Sequence, residues 1–425
     1  MGILLSGGRV YTKSAFHRLD VAIDNGRIIS LSPNVPQSGF TRIFDFNNCF
    51  IVPGFVDVHV HLREPGFCYK ETIKTGTLAA ARGGYTTVCT MPNLSPPPDS
   101  TENLQVQLDA IALDARIGVI PCGCITMGER GDELSDMEGL APYVFGFSDD
   151  GRGVQSESIM LAAMKKAKSL NKPIIAHCED NSLLGGSAIH AGEYAARFGL
   201  KGITSESEYR QIERDLNLVA KTGCRYHICH ISTRESVNII REAKKDGLPI
   251  TCETAPHYLV LCDADLRDDG RFKMNPPLRS RRDQDALLEG LTDGTIDVIA
   301  TDHAPHSAEE KSKGLKGSLM GIVGLENAFS VLYTELVQKG VLTLESLVEK
   351  MAVNPRKIFG LGGGIECGEK ADITVINTDA AYKIDSSRFL SMGRSTPFDG
   401  KNVEGDIAMT IYNGGIVWNG NLQEN

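Results

Sequence analysis

Apolar and polar residues alternate in short runs over the first fifty positions, at 3–5, 10–11, 21–23 and 28–31, with Asn25-Gly26 between two of them. Period-two alternation buries one face of a strand, and Asn-Gly favours a tight hairpin turn, so this stretch reads as a small β unit. From residue 52 the pattern changes. Apolar runs at 56–62, 86–91, 117–125, 143–147, 173–177, 225–231, 250–253 and 296–301 read as strands. Between most of them lie amphipathic helical patterns, among them 71–82, 156–169, 206–221, 233–245 and 283–291, several followed by a glycine that can close the helix. Eight strands with crossover helices over roughly 250 residues match an α/β fold of the (β/α)8 TIM-type barrel class. A doubly wound open sheet is the alternative. Two more helices are expected at 325–337 and 344–351, and strands return at 373–376, 409–412 and 416–418, with Asn413-Gly414 as a second hairpin turn. The β segments at the two chain ends are expected to pair as one small β-sandwich domain (1–52 plus 365–425), with the barrel (53–364) inserted between them.

Composition narrows the class of protein. The chain has 425 residues, 41% hydrophobic and 23% charged, and a net charge of −10 that argues against a nucleic-acid or anionic-membrane partner. No apolar run approaches the roughly 20 residues of a membrane helix. A basic stretch followed by an apolar one is missing from the amino terminus, so export is not expected. Eleven cysteines, none spaced C-x-x-C, read as reduced thiols, which suits a cytoplasmic protein.

Polar chemistry collects at the strand ends. His59 and His61 share one face of the first barrel strand by period two, and two imidazoles so placed can reach one cation, Zn²⁺ above all. The second strand ends in Asn93, the fourth in Asp149-Asp150, the fifth in His177, the sixth in His230, the seventh in Glu253 and His257, and the eighth in Asp302-His303 and His306. Barrel enzymes gather their sites at this end of the strands. Metal binding is therefore expected on His59, His61, His177, His230 and an acid, with Asp302 favoured as ligand and proton carrier. Four histidines and two acids also allow a two-metal site, bridged by Asp149 or Asp150. Strand parity places His227, Cys178 and Cys229 away from this centre. His17 and His190 read as solvated, and His257 and His303 as open, with an orienting role for each one possibility. The polar segment 307–317 suits a mobile lid as well as an ordinary loop.

The motifs VDVHVHLREPG (56–66), TMPNLSPPPD (90–99), FSDDG (147–151), IAHCED (175–180), CHIST (229–233), MNPPLR (274–279), ATDHAPH (300–306) and STPFDG (395–400) together resemble the cyclic amidohydrolases, and within them the dihydroorotases of the long-chain bacterial type. The resemblance implies a zinc hydrolase of pyrimidine synthesis, with one or two Zn²⁺ per subunit, interconverting N-carbamoyl-L-aspartate and L-dihydroorotate. Hydroxide generated at the metal would attack the ring amide carbonyl. It also implies His59, His61, His177, His230 and Asp302 as metal ligands, with Asp302 as general acid/base. Many relatives bridge two metals with a carbamylated lysine at the end of the fourth strand; here no lysine stands there, and Asp150 matches the bridging aspartate of closer relatives. Arg63, Asn93 and His306 match the holders of the substrate carboxylate, and Asn275 and Gly321 the walls around the ring. A homo-oligomer, a dimer, is expected, with aspartate carbamoyltransferase a possible partner. Allantoinase and dihydropyrimidinase are the nearest rival enzymes. A non-catalytic barrel subunit that scaffolds a carbamoyltransferase is the rival of another class, and it should have lost metal ligands that are all present here.

Overall fold

The computed structural model describes residues 2–420. Strands β1 (Gly2–Thr12), β2 (Ala15–Asp24), β3 (Arg27–Ser32), β4 (Phe40–Asp45) and β5 (Cys49–Pro53) come first. Next come β6 (Phe55–Val60), β7 (Tyr85–Thr90), β8 (Gly118–Pro121), β9 (Gly123–Cys124), β10 (Phe147–Ser148), β11 (Ile174–Ala176), β12 (Tyr226–Ile228), β13 (Ile250–Thr254) and β14 (Val298–Ile299). The last are β15 (Ile373–Lys383), β16 (Asn402–Tyr412) and β17 (Gly415–Asn419).

Both chain ends build one sheet, in the order β17-β16-β15-β5-β1-β2-β3, with β4 paired beside β1. The apolar runs at 3–5 and 10–11 belong to a single strand. The polar residues between them form a bulge, where the register shifts between Leu5 and Gly8 and Gly7 takes a φ of 71°. Past that bulge β1 changes neighbour, from β4 along Gly2–Ser6 to β5 along Arg9–Val10. β5 then pairs antiparallel with β15, which joins the amino-terminal strands to the carboxyl-terminal ones. Ile3, Leu5, Val21, Ile51, Val375 and Ile411 pack together on the sheet's buried face. Thr374 and Thr410 donate to the carbonyls of Gly84 and Ala81 and fasten the sheet to the barrel.

The barrel strands run parallel as β6-β7-β8 and as β9 through β14. β8 and β9 are two halves of one strand broken at Cys122, whose N–H still reaches the Thr90 carbonyl. The circle closes where Val60 bridges to His303 and the His61 N–H donates to the His303 carbonyl at 2.8 Å. Val56, Val58, Cys89, Cys122, Ile175, Cys229 and Val298 fill the interior. Phe359, ending the helix Asn354–Phe359, packs against Phe145 and His227 near the strand starts, so that helix plugs the end opposite the mouth.

Crossover helices Ile73–Arg82, Thr101–Asp114, Glu157–Ser169, Glu206–Thr222, Arg234–Lys245 and Arg281–Thr292 pack outside. Five of them start at a Ser or Thr whose hydroxyl accepts an N–H of the first turn: Thr72, Ser100, Ser156, Thr233 and Ser280. Such a cap typically contributes about 1 kcal/mol and fixes where each helix begins. The helix expected at 325–337 starts later, at Ala328, and its second half, Tyr333–Val337, winds as a wider π turn. The segment expected as a loop at 307–317 instead folds into two short helices, Ala308–Lys311 and Gly314–Gly317. Among the described residues no helix is long and apolar enough to cross a membrane.

Candidate metal centre at the barrel mouth

The polar strand ends converge as the residue pattern requires. His59 lies near the end of β6 and His61 just past it; Asp150, His177, His230 and Asp302 follow β10, β11, β12 and β14. All six are buried. The Asp150 carboxylate stands at the centre. Its Oδ1 lies 3.3 Å from His59 Nε2, 3.7 Å from His177 Nδ1 and 3.8 Å from His230 Nε2, while Oδ2 lies 3.6 Å from His61 Nε2. Asp302 Oδ1 meets His61 Nε2 at 3.2 Å and His59 Nε2 at 3.7 Å. Two overlapping groups result: His59, His61 and Asp302, and His59, Asp150 and His230.

The outer nitrogens of these rings are held by acceptors. His59 Nδ1 meets Glu253 Oε1 at 2.8 Å, and His61 Nδ1 meets Asn93 Oδ1 at 2.8 Å. With a hydrogen on each Nδ1, the Nε2 atoms of both rings face the two aspartates. His177 is turned the other way: Nε2 meets Glu179 Oε2 at 3.4 Å, and Nδ1 faces inward. Such outer acceptors fix tautomer and ring orientation in metal sites. His59 Nε2 and Asp150 Oδ1 are buried without a hydrogen-bond partner. Six converging donor groups, two of them carboxylates, with unpaired inward atoms fit a divalent cation, and the imidazole-rich set suits zinc.

Charge in the pocket is strongly coupled. Burial opposes ionisation of Asp150, yet the surrounding rings, His59 first, hold its carboxyl well below the usual range. Asp302 is likewise held low, against burial, by the bond to His61 and the nearby His59. Burial would keep the His59 ring neutral, but Asp150, the Cys229 sulfur and Glu253 raise its pKa well above the ordinary value. The pocket therefore keeps two ionised carboxylates among imidazoles.

Arg63 follows β6 with its side chain buried. Its Nε donates to the Pro305 carbonyl at 3.2 Å, and Nη2 lies 3.4 Å from His306 Nε2. Burial, then the charges of Arg63 and Lys70, push His306 down to about 3, so the ring is neutral beside the guanidinium. Asn93 stands against His61 and Asp150, and Asn275 Nδ2 donates to Glu179 Oε2 at 3.2 Å beside His177. Gly321 has a φ of 132°, and a Cβ there would come within 2.6 Å of the Ala304 carbonyl and 3.1 Å of His306 Nε2. Only glycine lets the backbone run so close to His306.

Several placements differ from strand parity. Arg63, His230 and Asp302 have φ of 62°, 30° and 50°, so the chain turns at each of them instead of continuing the strand. At His230 that turn brings the ring to the centre against the alternation of β12, whose interior face carries His227 and Cys229 two residues apart. Cys229 therefore lies within reach of His59 and Glu253. His227 is interior too: Nε2 meets Glu253 Oε2 at 3.1 Å while the ring rests on Phe359. Cys178 does point outward, to Tyr226. Asp149 is structural, accepting the N–H groups of Ile125 and Thr126. His303 turns away to Glu71 and Gly324. His257 is buried against Tyr258 and pushed by burial down to about 4, with Nε2 unpartnered. His190 is buried beside Arg279, not solvated. Glu253 and Glu179 are the orienting acids that sequence reading undervalued; their positions at or just past strand ends were the available signal.

A Dihydro-orotase-like family model matches residues 49–236. The dihydroorotase of Fusobacterium nucleatum is 50% identical over 418 residues, covering 98% of both chains. That of Bacillus caldolyticus is 48% identical over 422 residues, covering 98% of this chain and 99% of its own. Among solved structures, the L-hydantoinase (dihydropyrimidinase) of Arthrobacter aurescens superposes with a TM-score of 0.88 at 25% identity, over 98% of this chain and 96% of that one. The dihydropyrimidinase of Brevibacillus agri gives 0.87 at 22% identity, over 99% and 95%.

Proposed function

Because the chain belongs to the dihydroorotase family and is a cyclic-amide hydrolase, we propose that it interconverts L-dihydroorotate and N-carbamoyl-L-aspartate for pyrimidine synthesis, using zinc. The observation that carries the proposal is the buried Asp150 carboxylate, within 3.8 Å of all four inward-facing imidazoles. His59, His61, Asp150, His177, His230 and Asp302 would hold the zinc. When bound, zinc supplies hydroxide near neutral pH and polarises a carbonyl.

The chain's own groups do the rest. Arg63 holds the ring carboxylate by paired hydrogen bonds, and the neutral His306, its one N–H on the Met320 carbonyl, stands beside the guanidinium at the same clamp. Asn93 completes that clamp, and Asn275 with the Gly321 backbone confines the ring. Asp302, ionised and next to the reacting carbonyl, takes the proton of the attacking water on its carboxylate. It returns that proton to the ring nitrogen as the amide bond breaks, so one water yields a carbamoyl group and a carboxylate, with its second proton released to solvent. Reversal uses the same groups. The preference for dihydroorotate rests on charge: dihydrouracil lacks the carboxylate, so Arg63 would stay buried and unpaired beside it. The division into a β domain (1–52 plus 365–425) and a barrel (53–364), a cytoplasmic homodimer and a possible aspartate carbamoyltransferase partner belong to the same proposal.

Turnover of dihydroorotate, dihydrouracil, hydantoin and allantoin, with zinc counted in the same sample, tests it. The wild type is expected to favour dihydroorotate. Arg63→Met is expected to keep its zinc and lose roughly 10²–10³-fold in kcat/KM for that substrate, the cost of stranding one partner of a buried charged pair. Equal handling of dihydroorotate by variant and wild type would sink the assignment.

A further inference from the structure

Behind the ring walls lies a buried ammonium with no carboxylate. Lys311 ends the helix Ala308–Lys311, and its start is pinned by a reciprocal cap between Ser307 and Glu310. Nζ is enclosed and donates to three backbone carbonyls: Gly321 at 2.7 Å, Leu319 at 2.8 Å and Lys273 at 3.0 Å. Among the described residues no acid comes within ion-pair distance of it. A lysine ammonium has three N–H groups, so these acceptors use its whole capacity. Burial, then the Lys273 charge, lowers its pKa to about 7, while the more distant Asp269 charge works the other way.

The three carbonyls come from two separate segments. Lys273 lies two residues before Asn275, and its carbonyl also accepts the Gly321 N–H at 3.0 Å. The other segment includes Met320, whose carbonyl meets His306 Nε2 at 2.7 Å. His306 in turn faces Arg63. Carbonyls at 319, 321 and 273 converging on one point would repel one another without a cation among them. A side chain that belongs to neither wall thus fixes the distance between both walls.

We propose that Lys311 is a positioning residue that sets the substrate-binding geometry of the Asn275 and Gly321 walls without touching substrate or metal; this rests on the substrate assignment made above. The segment 307–317, which suits a mobile lid or an ordinary loop by its composition, is on this reading a fixed strut. Removing the ammonium lets the walls part, so substrate binding weakens while the proton transfer at Asp302 and the metal ligands stay in place.

Steady-state kinetics with dihydroorotate, zinc content and thermal melting on the full chain test this with Lys311→Met and Lys311→Gln. Lys311→Met keeps the length and removes every donor; Lys311→Gln keeps two. The expected result is a KM raised about tenfold or more in Lys311→Met, the loss of charge-assisted bonds. In Lys311→Gln the rise should be smaller, and both variants should keep kcat within about threefold and full zinc. KM within twofold of wild type in both, or kcat and zinc falling together with KM unchanged, would overturn the role. Where Lys311→Met fails to fold, Lys311→Gln decides; loss of both folds would make Lys311 a residue of general stability and overturn it too. Wild-type protein that does not turn over dihydroorotate removes the substrate assignment first, and the role of Lys311 with it.

Discussion

Asp302 shows how a single residue's chemistry depends on its backbone. With φ at 50° it leaves the line of β14, and its carboxylate swings against His61 and His59 instead of capping the next turn. A non-glycine residue in that region costs of order 1–3 kcal/mol, a strain that persists where neighbours over-determine it. Here the His303 carbonyl bonded to His61 N–H and the Ala304 N–H bonded to the Ile322 carbonyl hold the chain on the following side. Asp302→Asn is expected to fold, to keep most of its zinc, and to lose about 10²–10⁴-fold in kcat in both directions, the usual contribution of a general acid/base. Stopped-assay kinetics from either substrate check it; a loss under tenfold would remove the proton-carrying role. Glu253 acts one step further out. It accepts from His59 Nδ1, from the His230 N–H and from His227, so one carboxylate orients two rings of the centre.

At the scale of elements, the join between barrel and carboxyl-terminal segment is also an acid. Glu326 accepts the N–H groups of Leu390 at 2.9 Å and Ser391 at 3.0 Å, and pairs with Arg82 at the end of helix Ile73–Arg82 at 3.1 Å. Burial outweighs these partners and pushes its pKa up to about 7, from an ordinary 4.5. A carboxyl raised by folding stabilises the protein most below its unfolded pKa, and that contribution is lost as pH climbs through the folded one. Wild type should therefore lose stability relative to Glu326→Gln between pH 4.5 and 7, by up to about 3 kcal/mol. Melting temperatures of both proteins from pH 5 to 8 give the difference curve, and two parallel curves would show that Glu326 stays ionised throughout. The same scale explains the segment 307–317. Polar, lysine-containing and glycine-containing, it suits a lid or an ordinary loop, yet Lys311 is drawn inside by the carbonyls of nearby Leu319 and Gly321 and of distant Lys273.

Across the whole molecule, the barrel mouth is assembled from five strands that contribute one or two candidate ligands each, so the candidate metal centre and the closed barrel are one structure. A cation that binds this assembled set and not the unfolded chain stabilises the fold by mass action, about 2.7 kcal/mol at a hundredfold excess over its dissociation constant. Removing zinc with a chelator is expected to lower the melting temperature by several degrees and to abolish turnover, and restoring zinc should recover both. A chelated protein that melts unchanged would place no metal on these strands. Against the chain's net charge of −10, Arg63, Lys70 and Lys311 form a local basic cluster around His306, with Glu310 paired to Lys70.

Periodicity along the chain was enough to set the strand and helix succession, the strand-end positions of His59, His61, Asp150, His177, His230 and Asp302, and the hairpin at Asn25-Gly26. These follow from local rules: two-residue alternation, helical spacing, and turns that need positive φ. Packing decided the rest. Parity could not place Cys229 and His227, because a turn at His230 reverses which side faces inward and nothing in the local pattern announces it. Nor could spacing foresee that Glu253 would gather three histidine contacts, or that Lys311 would close on a carbonyl 38 residues away, at Lys273. Each of those depends on a meeting of distant segments, and such meetings exist only once the barrel has closed and shut out water.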